Sequence, residues 1–143
     1  MKTIHVDVVS GEERIFDAEA IMVILPGSMG ELGIMPGHSA LLTLLQAGEL
    51  RLIQQDKSEN LYYVSGGYAE IQPYLISVLA DTVMRVNSID EQRALMAREK
   101  ADQIIKRGVI GIDYAQAKAE LVAATAQLKV IENLRQRKRL KRK

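Results

Sequence analysis

The stretch NSIDE, Asn87 to Glu91, divides the chain into two periods. Upstream of it apolar residues recur at every second position or in short runs; downstream they recur at every third or fourth. Ser88 is followed three places on by Glu91, the spacing of a capping box, in which each side chain satisfies a backbone N–H left free in the first turn of a helix. The spacing predicts that a helix begins there and that strands end there.

On the upstream side, Ile4, Val6 and Val8 alternate with polar residues, and apolar runs follow at 21–25, 50–53, 61–64 and 75–79. Turn residues bound each run: Ser10-Gly11-Glu12-Glu13, Pro26-Gly27-Ser28, Pro36-Gly37, residues 55–60 and Ser65-Gly66-Gly67. Short strands with frequent turns predict an all-β unit, and two sheets packed face to face cover the apolar sides most simply. Ser65-Gly66-Gly67 is expected to form a bulge or hairpin turn rather than a phosphate loop, since no helix follows it. Gly30, Gly33 and Gly37 are expected at turns around an exposed loop with Glu31 at its tip.

On the downstream side, Ala94, Ala97, Ala101 and Ile104 follow a helical spacing that stops at Gly108. Asp113 starts a second such run, through Ala117, Leu121, Ala124, Leu128 and Ile131. Two striped helices joined by a short glycine-containing turn predict an antiparallel hairpin. The fold class is therefore two-part: an N-terminal all-β sandwich over 1–87 and a C-terminal antiparallel α-helical hairpin over 88–143 with a basic tail. Alanine stripes bury little area, so the hairpin is expected to draw on a second surface for its stability, as an element that docks or detaches.

Charge follows the same division. Residues 1–87 carry five Lys/Arg against eleven Asp/Glu, a net of −6, while residues 88–143 carry fourteen against seven, a net of +7. Seven of the last nine residues are basic: Arg135, Arg137, Lys138, Arg139, Lys141, Arg142 and Lys143. Two readings of that tail stand: a solvated helix end, or a docking element for an acidic surface. Nucleic-acid binding is disfavoured, because a chain with no tryptophan and one phenylalanine lacks the aromatics on which single strands stack.

Enzymatic chemistry finds little support. The chain has no cysteine, and neither of its histidines, His5 in an expected edge strand or His38 after a Pro-Gly turn, has a nucleophile or second metal ligand at a working spacing. No catalytic residue, metal site or required cofactor is assigned. No apolar run approaches the length of a membrane helix and Asp7 interrupts any signal-peptide core, so the protein is expected in the cytosol, or at a membrane only through partners.

Four segments, GELGIMPGHSALLTLLQAGELRL (30–52), YVSGGYAEIQP (63–73), VLADT (78–82) and IDEQRA (89–94), occur together in this order. In this combination the chain resembles the epsilon subunit of bacterial and plastid F-type ATP synthases, from about Thr3 to Glu132 in one register. The resemblance implies a non-catalytic rotor subunit of the central stalk of a proton-translocating ATP synthase, peripheral on the cytoplasmic face of the bacterial plasma (inner) membrane. Its sandwich would link the gamma subunit to the c-ring, with Glu31 as the c-ring contact and His38 as a gamma contact. Its helices would reach the alpha and beta subunits of the catalytic head and inhibit ATP hydrolysis through the basic tail. An alternative implied by the same family is a regulatory module that senses ATP on the hairpin. Ile89, Asp90, Arg93 and Ala94 match the first part of that family's nucleotide motif, but Ala123 and Gln127 stand where arginines are required, so capping and a local ion pair are preferred for Asp90 and Arg93.

Overall fold

The computed structural model describes residues 2–11 and 13–141, with Lys141 through its backbone alone. Its contacts divide into two units, one ending at Arg85 and one beginning at Val86.

The first unit is built from ten strands: β1 (Ile4–Ser10), β2 (Glu13–Ala20), β3 (Met22–Gly27), β4 (Gly30–Ile34), β5 (Leu41–Leu45), β6 (Gly48–Ile53), β7 (Glu59–Val64), β8 (Gly67–Ile71), β9 (Leu75–Ala80) and β10 (Val83–Arg85). They form one folded sheet in the order β10-β7-β6-β3-β5-β8-β9-β1-β2, with β4 paired to β3. Its midpoint is slender, because β3 and β5 share the single register pair Gly27↔Leu45. There the sheet turns back on itself, and its two halves enclose one core, in which Ile4, Val6, Val8, Ile76 and Val78 from one half meet Val23, Leu25, Leu50, Leu52 and Val64 from the other. Across the open side of the sandwich Phe16 of the last strand in that order, β2, stacks on Tyr62 of β7, the second, with ring centroids 4.4 Å apart and 16° from parallel.

β1 is not an edge strand. It lies between β9, its parallel partner, and β2, its antiparallel one. Because strand β2 has exposed or half-buried residues through most of its length, its sequence lacks the apolar run that announces a strand. His5 sits directly opposite Glu19 in this register, and its Nδ1 lies 2.7 Å from Glu19 Oε1 while Thr3 donates to Oε2 at 2.8 Å. These hydrogen bonds, that from His5 first, hold the Glu19 carboxyl below its ordinary value of 4.5. A lowered folded value means the pair stabilises the sandwich above the unfolded value and loses that contribution as pH falls through the folded one. Accordingly, Glu19→Gln is expected to lower the urea midpoint at neutral pH, and its difference from the parent to close in acid below 4.5; an equal difference at pH 3 and pH 7 would contradict this origin.

In the second unit a 3₁₀ turn over Val86–Ser88 leads to α1 (Glu91–Lys106), and α2 follows (Ile112–Lys141). Ser88 is used in the 3₁₀ turn, so the expected Ser88–Glu91 capping box is not formed. Asp90 caps instead: its backbone is extended at φ −83°, ψ 103°, and its Oδ1 accepts from the Arg93 N–H at 3.1 Å. A cap of this kind stabilises a helix by about 1 kcal/mol, and its charge suits the positive end of the helix dipole. Arg107 and Gly108 close α1, with Gly108 left-handed at φ +80°.

The hairpin seam is mostly alanine, Ala94 and Ala101 on α1 and Ala117 and Ala124 on α2, with Val130 and Ile131 buried toward its open end. Ala97, expected in the stripe, is exposed. At 100° per residue the seven-residue step from Ala94 to Ala101 marks the seam centre, and Ala97 falls roughly 60° to one side of it. No helix among the described residues is long and apolar enough to cross a membrane.

Candidate functional site

The most informative surface of the first unit is the outward face of β5. Its sequence, Leu-Leu-Thr-Leu-Leu, does not alternate, because the strand presents apolar side chains to both faces. Leu45 is buried in the core, whereas Leu42 and Leu44 are 69% and 66% exposed. Antiparallel pairing with β8 puts Tyr68 opposite Leu44 and Glu70 opposite Leu42, and Tyr68 is itself exposed. A shallow groove of 500 Å³ runs along this strip, lined by Ala40, Leu41, Leu42, Tyr68, Glu70 and Gln72. Two leucines and a tyrosine side by side in solvent raise the free energy of an isolated protein, and such a patch marks a partner surface.

The strip lies between the two residues singled out by the sequence. At its Leu44 end, Ser28 N–H donates to Leu44 O at 2.9 Å, tying β5 to the β3–β4 hairpin. That hairpin is closed by the pair Gly27↔Gly30, so Ser28 and Met29 form its tip and Glu31 lies two residues beyond Met29, exposed, opposite Pro26. The tip residue is therefore Met29, 99% exposed, rather than Glu31. Gly30 takes φ +131°, which a side chain would resist, but Gly33 belongs to β4 and makes no turn; a Cβ there would lie 2.8 Å from Met22 Cε.

At the Leu41 end, Gly37 turns the chain with φ +89° and its N–H donates to Pro73 O at 2.8 Å. His38 follows, half-buried, with its N–H on Met35 O at 3.2 Å and Nδ1 2.7 Å from Ser39 O. A ring nitrogen held by the adjacent backbone is oriented, and the arrangement contains no catalytic pair. Among the described residues no three His, Cys, Asp or Glu side chains gather as a metal site would require. Glu31, the apolar strip and His38 thus share the strand β5 and its two ends, a span of roughly 14 Å between the first and last Cα at strand rise. Leu42, Leu44 and Tyr68 were not singled out by the sequence, although the loss of alternation in β5 carried the signal.

On the second unit the basic tail continues as helix. Arg137, Lys138 and Arg139 extend α2, the side chain of Lys141 is not described, and Arg142 and Lys143 lie outside the described residues. Arg135 does not simply project into solvent. Its Nη1 donates to Glu91 Oε1 at 3.0 Å and its Nη2 to Oε2, a two-pronged pair between the end of α2 and the first turn of α1. The guanidinium holds the Glu91 carboxyl below its ordinary value, chiefly through these hydrogen bonds. Asp90 and Arg93 are joined through the cap alone, by the Arg93 backbone and not its side chain.

Comparison with known proteins agrees across the chain. The family model described as "ATP synthase, Delta/Epsilon chain, beta-sandwich domain" matches residues 3–86, and "ATP synthase, Delta/Epsilon chain, long alpha-helix domain" matches 87–132. The ATP synthase epsilon chain of Nitrosococcus oceani is 46% identical over 135 residues, covering 94% of this chain and 96% of its own. That of Halorhodospira halophila is 44% identical over 138 residues, covering 96% and 98%. Among solved structures, a chain of the Euglena gracilis mitochondrial ATP synthase, in its OSCP/F1/c-ring assembly, superposes with a TM-score of 0.72 at 18% identity, over 93% of this chain and 79% of that one. A chain of the Tetrahymena thermophila central stalk and c-ring gives 0.58 at 13% identity, over 91% and 97%.

Proposed function

Since the chain belongs to the ATP synthase delta/epsilon-chain family, we propose that it is the non-catalytic epsilon subunit of a bacterial rotary ATP synthase. Its sandwich joins the gamma shaft to the c-ring, and its helical hairpin restrains ATP hydrolysis. It works at the cytoplasmic face of the plasma membrane, held there by its partners.

The observation that carries the reading is the exposed strip Leu42–Leu44–Tyr68 on β5 and β8, running from the hairpin that bears Glu31 to the segment that bears His38. A part that passes torque between two other bodies needs adjacent contact surfaces on a stiff frame, and a sheet with one enclosed core provides that stiffness. Glu31 and the Met29 tip fit a polar ring edge, while the apolar strip with His38 fits the gamma shaft. The +7 charge of residues 88–143 suits an acidic surface of the catalytic alpha and beta subunits.

The test replaces Leu42 and Leu44 together by aspartate. Both side chains are solvent-exposed, so folding is retained, while a charge driven into an apolar contact weakens retention by the gamma–c-ring complex by at least about tenfold. Unaltered retention by that complex would remove this strip from the shaft interface.

A further inference from the structure

The Arg135–Glu91 pair has two properties that a generic surface ion pair lacks. It is long-range, linking positions 44 apart, and it is two-pronged, Nη1 donating to Oε1 and Nη2 to Oε2. It also sits where the hairpin would open. The alanines that make most of the seam between α1 and α2 bring the helices close but offer little buried side-chain area per residue, so an added anchor at the open end, beyond the buried Val130 and Ile131, weighs more than it would on a leucine-packed seam. The helix ends favour the pair as well, since Glu91 lies in the first turn of α1 and Arg135 in the C-terminal part of α2.

Both groups remain accessible, the Arg135 side chain 56% exposed and that of Glu91 34% exposed. A partner carboxylate therefore reaches the guanidinium without first unfolding anything. We propose that Glu91 is an internal competitor for Arg135, keeping α2 folded against α1 until an acidic surface of a partner takes the arginine from it. The latch rests on the reading of the basic end of α2 as an inhibitory surface only for its consequence; its effect on the hairpin stands alone. The competitor has the same chemistry as the partner it excludes, a carboxylate accepting two parallel N–H bonds. Release is thereby coupled to capture: the cation that holds the hairpin shut is one that the acidic surface needs.

The experiment uses the full-length chain, which has no cysteine, labelled with spin probes at Gln92→Cys and Thr125→Cys, exposed positions on α1 and α2. Dipolar distances then report the ratio of separated to closed helices. Glu91→Gln and Arg135→Gln are each expected to raise that ratio about two- to fivefold, the range of a well-formed exposed pair. The double variant should do no more than either single one, and the charge exchange Glu91→Arg with Arg135→Glu should return the ratio toward the parent value. In the reconstituted ATPase, Glu91→Gln retains every cation of the tail and should inhibit hydrolysis more strongly by a similar factor. An unchanged ratio in either single variant, or additive effects in the double, overturns the latch. A ratio that rises while inhibition stays constant supports the latch and overturns instead the inhibitory role assigned to the tail.

Discussion

A chain ending at Leu134 is expected to inhibit ATP hydrolysis by the reconstituted synthase on the order of tenfold more weakly than the full chain, the loss that follows when one or two charge-assisted contacts are removed. The truncation deletes seven cations and no anion, taking the region after Asn87 from +7 to neutral. What remains includes the seam residues Ala117, Ala124 and Ile131, so the hairpin should retain its packing while losing the charge proposed to meet an acidic surface. Inhibition by the full chain should also weaken as ionic strength rises, because exposed charges are screened over about 8–10 Å at physiological salt. The truncation removes the latch as well, which by itself would free α2; a net loss of inhibition therefore means the cations matter more at the head than within the hairpin. ATPase activity that is the same with either chain would exclude the tail from inhibition.

The largest effect on stability belongs to a glycine. Gly67 opens β8 with φ +130°, and a Cβ built there would lie 2.0 Å from Leu79 O and 2.9 Å from Ala80 Cα. Both atoms are backbone of the paired strand β9, so no rotamer change relieves the clash. Gly67→Ala combines strained backbone with overpacking and should cost about 3–5 kcal/mol, a third or more of the stability of an ordinary domain. Gly11→Ala is the control: φ is +59°, yet no atom lies within 4 Å of the built Cβ, so strain alone acts there and about 1 kcal/mol is expected. Urea unfolding of the two variants separates these cases, and similar midpoints would refute the steric argument.

The division into strands and helices is legible because each unit repeats its own period. β1 alternates, β6 and β9 announce themselves as short apolar runs, and the α2 stripe from Ala117 to Ile131 follows the helical step. β2 escapes because most of its side chains are exposed or half-buried, and β4 because glycines occupy two of its five positions. The helix start shows a different limit. Ser88 and Asp90 are both good caps two residues apart, and the Val86–Ser88 turn, closed by Ile89 N–H on Val86 O at 3.3 Å, decides between them. For the site, Glu31 and His38 come from family resemblance, while the strip joining them follows from register: the sequence shows that β5 is too apolar, but pairing with β8 is needed to bring Tyr68 beside Leu44. Arg135 was indistinguishable in sequence from its basic neighbours, since only the folded hairpin brings Glu91 to it.

The parallel pairing of β1 with β9 sets an order of events during synthesis. His5 lies across from Leu75, so the first strand has no partner on that side until roughly half of the chain has left the ribosome. Contacts so distant in sequence form slowly, whereas a helical hairpin closes through neighbours. The nascent sandwich therefore waits with an apolar strand unsealed on one side, the kind of open edge through which partly folded chains aggregate.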